Sequence, residues 1–272
     1  LQTPEISVNS VRTYGKPPFS VAVIHGGPGA GGEMAPVARE LASRRGVLEP
    51  IQTATSVDGQ VEELRQVLEA YGDPPVALVG FSWGAWLSFI IAARYPAIVK
   101  KLILVGSGPY EERYVAQLQE ARLSRLSERA RAEFEAVLRA LNDPAAEDKD
   151  ALLARLGALA AKSDAYDPIA GGLRESDMVG AQGNLFQSVW EDAAQLRRSG
   201  ELLEIGRRVR CPVVAIHGDY DPHPAEGVEK PLDSVLRRFR FVLLKNCGHR
   251  PWAERQARDA FYRVLEEELE SR

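Results

Sequence analysis

Residues 80–86 read GFSWGAW, a serine between two glycines that directly follows one apolar run and directly precedes another. Val76, Ala77, Leu78 and Val79 have the length and side chains of a short buried strand, and Trp83 to Arg94 read as a helix that Pro96 cuts off. Ser82 therefore sits on the turn between them. Reversing direction in so few residues forces the serine backbone into a sparsely allowed conformation, tolerable only where its neighbours are small, as Gly80 and Gly84 are. This is the G-x-S-x-G nucleophile elbow. The hydroxyl projects above a sheet, and the helix start behind it presents unpaired N–H groups and a positive dipole end that would stabilise an oxyanion. The pentapeptide alone also fits a strand-to-helix turn with no catalytic use, so a base, an acid to orient it and a second oxyanion donor must be sought elsewhere.

Upstream, Val21 to Ile24 is the first strong strand signal, and it runs into HGGPGAGG, residues 25–32, where five of eight residues are glycine. Such a loop lets its backbone approach a neighbour closely. A phosphate-binding loop would need Lys-Ser or Lys-Thr at the P-loop spacing, which is missing, and the G-x-G-x-x-G register of dinucleotide sites is not met. An HG-type oxyanion loop remains, turning a backbone N–H towards the elbow, with Gly27 as donor and Gly26 as the alternative. Trp83 would lend the other N–H, its indole serving for packing. His25 reads either as a loop-fixing hydrogen-bonding group or as a strand-end histidine with no catalytic role.

Glu33 to Arg44 then reads as a helix, Val47 to Ile51 as a strand, Asp58 to Tyr71 as an amphipathic helix and, beyond the elbow, Leu102 to Val105 as a buried strand. This alternation predicts an α/β chain with a mostly parallel sheet covered on both faces. Residues 1–20 hold only a weak alternating run, Ile6 to Val11, and a Gly15-Lys16-Pro17-Pro18 turn, so at most one or two edge strands precede it. After Gly106-Ser107-Gly108-Pro109 no strand signal appears for nearly a hundred residues. Helical periodicity fills the interval, with a restart at Ser127, a helix opened by Asp143-Pro144, and an amphipathic stretch around Leu185, Val189 and Trp190. Strand and helix alternation resumes at Pro212, which predicts a core of residues 1–106 and 206–272 and a helical cap of residues 107–205. The glycine-rich stretch Tyr166 to Asn184 is expected to be the cap's most mobile part.

Catalytic groups of open parallel sheets gather at the carboxyl ends of strands. Four loops here directly follow strand signals, and they carry His25-Gly26-Gly27, Ser82, HGDYDPHP (residues 217–224) and His249. The order Ser, Asp, His is that of the α/β-hydrolase triad. His249 should be the general base. Within HGDYDPHP, either Asp219 or Asp221 could orient it, and the alternation of His217, Asp219, Asp221 and His223 resembles a metal site only superficially, because no partner from another element is evident. No metal and no cofactor are expected.

Taken together, HGGPG, GFSWGA, HGDYDPHP and GHRPWAE are similar to the motifs of the α/β-hydrolase family, and within it to the proline iminopeptidase-like group, whose pattern is HGGPG, G-x-S-W-G, an HGRYD-like acid loop and GHSxxE. The resemblance covers both core segments and implies an α/β-hydrolase fold in which Ser82, Asp221 and His249 are nucleophile, acid and base, leaving Asp219 as a turn residue. It departs at Phe81, at Arg250 where the group tends to have Ser, in a shortened N-terminal sheet and in a cap without a matching motif.

A chain of 272 residues, 45% apolar and with a net charge of −4 spread over both signs, can bury a large core and has no basic stripe for nucleic acid. No apolar run is long enough to span a membrane, the start lacks the basic and apolar regions of a signal peptide, and Cys211 and Cys247 are too few for a disulfide framework, so a cytoplasmic location and a small-molecule or short-peptide substrate are expected. A serine hydrolase acting on an ester or amide is thus the first reading, either an aminopeptidase or a carboxylesterase. A catalytically idle ligand-binding scaffold is the alternative. An aminopeptidase must hold a substrate ammonium with carboxylates, and in the cap Glu191 beside Trp190, then Asp177 beside Met178, are the candidates, unless both are ordinary surface acids.

Overall fold

Strands β1 (Val11–Tyr14), β2 (Phe19–Ile24), β3 (Gly46–Pro50), β4 (Val76–Phe81), β5 (Val99–Val105), β6 (Val213–Gly218) and β7 (Phe239–Leu244) form one sheet in the order β1-β3-β2-β4-β5-β6-β7. β1 runs antiparallel to β3, and the other pairings are parallel. The computed structural model describes residues 11–143, 145–171 and 174–271. Of the run expected at Ile6 to Val11 only Val11 lies within them, and it opens the single edge strand seen before β2.

β4, at the centre of the sheet, is apolar throughout because both its faces are covered. Along β4, Val76 and Leu78 point to one core, with α2 (Val57–Tyr71) and α3 (Trp83–Arg94), while Ala77, Val79 and Phe81 point to the other, with α1 (Ala35–Leu41) and Phe261 and Leu265 of the closing helix, Arg258–Glu270. α1 is shorter than the helix expected from Glu33 to Arg44. Glu33 lies outside it, engaged by Arg250 across the molecule at 2.5 Å.

Between β5 and β6 come α4 (Val115–Ser124), α5 (Glu128–Leu141), α6 (Lys149–Asp164), α7 (Gly183–Ser199) and the short α8 (Glu201–Glu204); α9 (Glu226–Val235) and α10 (Arg258–Glu270) follow β6 and β7. Ser127 caps α5 as its sequence indicates, its hydroxyl accepting the Ala130 N–H. α6 does not open at Asp143-Pro144. Asp143 accepts the Ala145 N–H in a turn, and Asp148 is the cap, accepting from Ala151 at 2.9 Å. α5 and α6 close a small core of their own around Leu126, Phe134 and Leu159, while α7 places Leu185, Val189 and Ala193 on the α2–α3 side of the main core.

The stretch expected to be mobile is tied down at both ends. Tyr166 and Asp167 donate their N–H groups to Glu254, and Val179 donates to the Gly31 carbonyl at 2.8 Å; Gly172 lies outside the described residues. Gly32 adopts φ +93° and meets the Asp177 carbonyl so closely that a Cβ there would lie 1.8 Å from its oxygen. Among the described residues no helix is long and apolar enough to cross a membrane.

Candidate active site

The turn between β4 and α3 has the strain its sequence requires: Ser82 sits at φ 51°, ψ −115°, in the left-handed half of conformational space that a side chain rarely enters. Its glycines leave no room for anything larger. A Cβ on Gly80 would lie 2.3 Å from the Gly84 carbonyl oxygen, and one on Gly84 2.3 Å from that of Ile24. Ser82 is half-buried at the floor of a cavity of about 1800 Å3 that also receives His249, Gly27 and Trp83. Trp83 is the first residue of α3, where backbone N–H groups have no partner inside the helix. Its indole is buried and donates to Gln60 Oε1 at 2.9 Å, so that ring packs.

β6 and β7 deliver the other two groups. Asp221 Oδ2 lies 2.7 Å from His249 Nδ1, which makes the imidazole a donor at Nδ1 and leaves Nε2 as the basic nitrogen. Burial would raise the Asp221 carboxyl, but the imidazoles of His249, His223 and His217 outweigh it and hold it well below the usual carboxylate range. Asp219 serves the turn, accepting the Cys247 N–H at 3.2 Å and facing Lys245. The His249 ring rests against Phe81, with centroids 4.7 Å apart, and Phe81 is braced edge-on by Trp252. Phe81, a departure from the family pattern, thus supports the His249 ring. Gly106 does so by omission, since a Cβ on it would lie 3.1 Å from His249 Nδ1.

His25 holds the glycine-rich loop. Its Nε2 accepts the Gln52 N–H at 3.1 Å, so Nδ1 carries the proton and donates to the Gly26 carbonyl, while burial pushes its imidazole pKa down and keeps it neutral. Of the glycines in that loop, Gly29, Gly31 and Gly32 make room for Gln182, Val179 and Asp177 of the segment crossing above them. Part of the loop's glycine content therefore answers to packing of the insertion, a demand that the sequence does not separate from an oxyanion role.

Several residues of the site carry no clear sequence signal. Glu254, fully buried, accepts the N–H groups of Tyr166, Asp167 and Gly248, clamping the returning chain to the His249 loop; its one visible sign was the final Glu of GHRPWAE. Asp164 receives His249 N–H on its carbonyl at 2.8 Å and a two-pronged hydrogen bond from Arg122 at 2.8 and 2.6 Å on its carboxylate. His223 donates to the second oxygen of Asp221. The ligand atoms of Asp221, His223 and His249 lie within 4.8 Å of one another, yet both carboxylate oxygens already face imidazole Nδ1 atoms, a hydrogen-bonded cluster rather than an open metal cage.

The two acids expected to receive an ammonium part company. Glu191 lines the cavity from α7, exposed at its rim. Asp177 does not line it, because Arg39 Nη1 and Nη2 each approach one of its oxygens at 2.7 Å and turn the carboxylate towards α1. The remaining wall is largely apolar, from Leu118 and Leu123 of α4 through Phe134, Leu138 and Leu156 to the parallel rings of Phe186 and Trp190, 6.1 Å apart, with buried Trp86 stacked behind Trp190 at 5.9 Å.

A family model described as alpha/beta hydrolase fold matches residues 20–251 of the chain. Solved structures with the same fold include VinJ (19% identity, TM-score 0.65, covering 96% of this chain and 94% of that one) and a proline iminopeptidase from Mycobacterium smegmatis (19%, TM-score 0.63, 95% and 93%). An enol-lactonase from Burkholderia xenovorans is similar at 17% identity, TM-score 0.62 and 96% coverage of both chains. No curated protein sequence matches the chain.

Proposed function

The chain belongs to the α/β-hydrolase family, and from that premise we propose that it is a serine hydrolase. Ser82 Oγ attacks a carbonyl carbon while His249 Nε2 takes its proton, and Asp221 stabilises the imidazolium. The N–H groups of Gly27 and Trp83 receive the oxyanion. Collapse breaks the bond to the leaving group, which departs with the proton held by His249; a water then gives a proton back to His249 and opens the acyl-enzyme, releasing the acid and restoring Ser82. The observation that carries this reading is the 2.7 Å bond from His249 Nδ1 to Asp221 Oδ2, with His249 lining the same cavity as the strained turn that holds Ser82.

The helices between β5 and β6 act as a cap, and its chemistry favours an uncharged ester with a bulky apolar acid over an aminopeptidase substrate. A cavity of about 1800 Å3 exceeds the ~300–1,000 Å3 of ordinary small-molecule pockets. The buried acids on its wall are engaged: Asp164 by Arg122, Glu33 by Arg250 and Glu254 by three backbone N–H groups. That leaves only exposed cap acids, Glu191, Glu135 and Glu175, to meet an ammonium from the rim.

A fluorophosphonate probe read by intact mass tests the assignment. Wild type should take up one label, and Ser82→Ala none while losing turnover by several orders of magnitude, on the order of 10^4-fold or more. An unlabelled wild type would move the chain to the idle ligand-binding scaffold. Among substrates, long apolar esters should be cleaved in preference to amino-acid arylamides; arylamide cleavage that Glu191→Gln selectively weakens would restore the aminopeptidase reading.

A further inference from the structure

One imidazole in this site has no part in the chemistry above. His223, two residues past Asp221 and held between Pro222 and Pro224, lies with its Nδ1 2.7 Å from Asp221 Oδ1, while His249 Nδ1 lies at the same distance from Oδ2. The carboxylate accepts from both rings, so both carry their proton on Nδ1 and keep Nε2 as an acceptor. The rings stack with centroids 4.5 Å apart at 23°, and both border the Ser82 cavity. The arrangement is rigidly built. The His223 N–H also donates to Asp221 Oδ1 at 2.9 Å, and His217 Nε2 donates to the His223 carbonyl at 2.8 Å.

We propose that His223 is a positioning residue for the Asp221–His249 pair, taking one carboxylate oxygen so that the other stays aimed at His249, and sharing the carboxylate's charge between two donors. This rests on the serine-hydrolase reading and deepens it. An ionised carboxylate that accepts an additional N–H offers less negative potential to a neighbouring imidazolium, so that imidazolium gives up its proton more readily. His223 suits the positioning role as a neutral donor, since a second imidazolium at stacking distance would repel the one that forms on His249 during the reaction. Burial pushes the His223 imidazole from 6.5 down to about 4 despite the attraction of Asp221, so it stays neutral above that range. The charged and titratable groups around the pair are His217 and Asp221 from β6 and its loop, Arg122 and Asp164 from α4 and α6, and the Arg250–Glu33 pair at the cavity wall.

The test compares His223→Leu, which deletes the donor, with His223→Asn, of nearly the same shape, whose amide can donate from the position of Nδ1. The rate of fluorophosphonate labelling is followed against pH in wild type and both variants, with circular dichroism as the check on folding. The acid limb of the profile should move to higher pH by about one unit in His223→Leu, and lie near the wild-type position in His223→Asn. A limb that stays in place in His223→Leu, or moves equally in both variants, overturns the positioning role. Loss of all labelling in His223→Leu while His249→Leu still labels would make His223 the base and overturn it as well. Wild type that fails to label refutes instead the hydrolase reading, and this inference with it.

Discussion

Replacing Arg122 by Met should destabilise the protein through a carboxylate it never touches by chain proximity. Arg122 and Asp164 pair with side chains only 19% and 9% exposed, and Met retains most of the aliphatic stem while removing the guanidinium. The Asp164 carboxylate is then left with the Ser163 hydroxyl alone at close range. Stranding one member of a buried pair costs about 3–5 kcal/mol. Unfolding entropy of about 2.1 cal/mol/K per residue, over 272 residues, amounts to about 0.6 kcal/mol/K, so Tm should fall by about 5–9 °C at pH 7. The pH dependence discriminates further. In the wild type burial would raise the Asp164 carboxyl, but Arg122 outweighs it and holds it below its ordinary value, so the pair's stability is present at neutral pH and lost as pH falls. In Arg122→Met burial acts unopposed by the guanidinium, the carboxyl protonates at higher pH, and the deficit relative to wild type narrows on acidification. Arg122→Met/Asp164→Leu, with no charge left to strand, should recover to within ~1 kcal/mol of wild type. Thermal denaturation of the three proteins at pH 7 and pH 4.5 reads all of this. A Tm drop below about 2 °C, a deficit that does not change with pH, or a double variant as unstable as the sum of the singles would refute the reasoning.

Asp221→Asn should lower kcat/KM by about 10^3–10^4-fold, because an amide cannot stabilise the imidazolium of His249, whereas Asp219→Asn should cost less than about tenfold; the reverse ranking in esterase assays would reassign the acid. Overall stability should decline as pH falls from 6.5 towards 4, since buried His223 and His25 stay neutral while their unfolded counterparts bind protons. His223 alone accounts for ~3 kcal/mol of this, so urea midpoints at pH 7 and pH 4.5 should differ, and differ less in His223→Asn. Gly32→Ala, at φ +93° and facing the Asp177 carbonyl, should displace the segment that crosses the glycine-rich loop, seen as new protease cleavage between residues 174 and 182 together with slower fluorophosphonate labelling. Unchanged cleavage and labelling would show that the two loops are not coupled.

Local rules carried much of the architecture. Period, length and glycine placement suffice for the strand–elbow–helix unit, because the reversal at Ser82 is a demand met within five residues, and the structure answers it with a φ of 51° between two glycines that admit no Cβ. The alternation of buried strands and helices likewise leads to a parallel sheet, since only helices on both faces hide strands that are apolar on both sides. Three of the four strand-end motifs supply Ser82, Asp221 and His249, and the loops that carry them meet above the sheet.

What depended on the tertiary structure is which groups far apart in sequence neutralise one another. Asp177 looked available for an ammonium until Arg39, 138 residues away, proved to hold both of its oxygens; Glu33 and Arg250, 217 residues apart, are likewise joined. A glycine-rich loop reads the same whether its backbone must approach an oxyanion or the chain crossing above it, and what separates the two is the Asp177 carbonyl oxygen, placed 1.8 Å from where a Cβ on Gly32 would lie. His223 appeared in sequence as one of four alternating acids and histidines; in the fold it shares a single carboxylate with a histidine from another loop. Periodicity and turn chemistry act over a few residues and are written in the chain, whereas the partner of a charge is chosen by packing, which brings distant segments together and leaves no local mark.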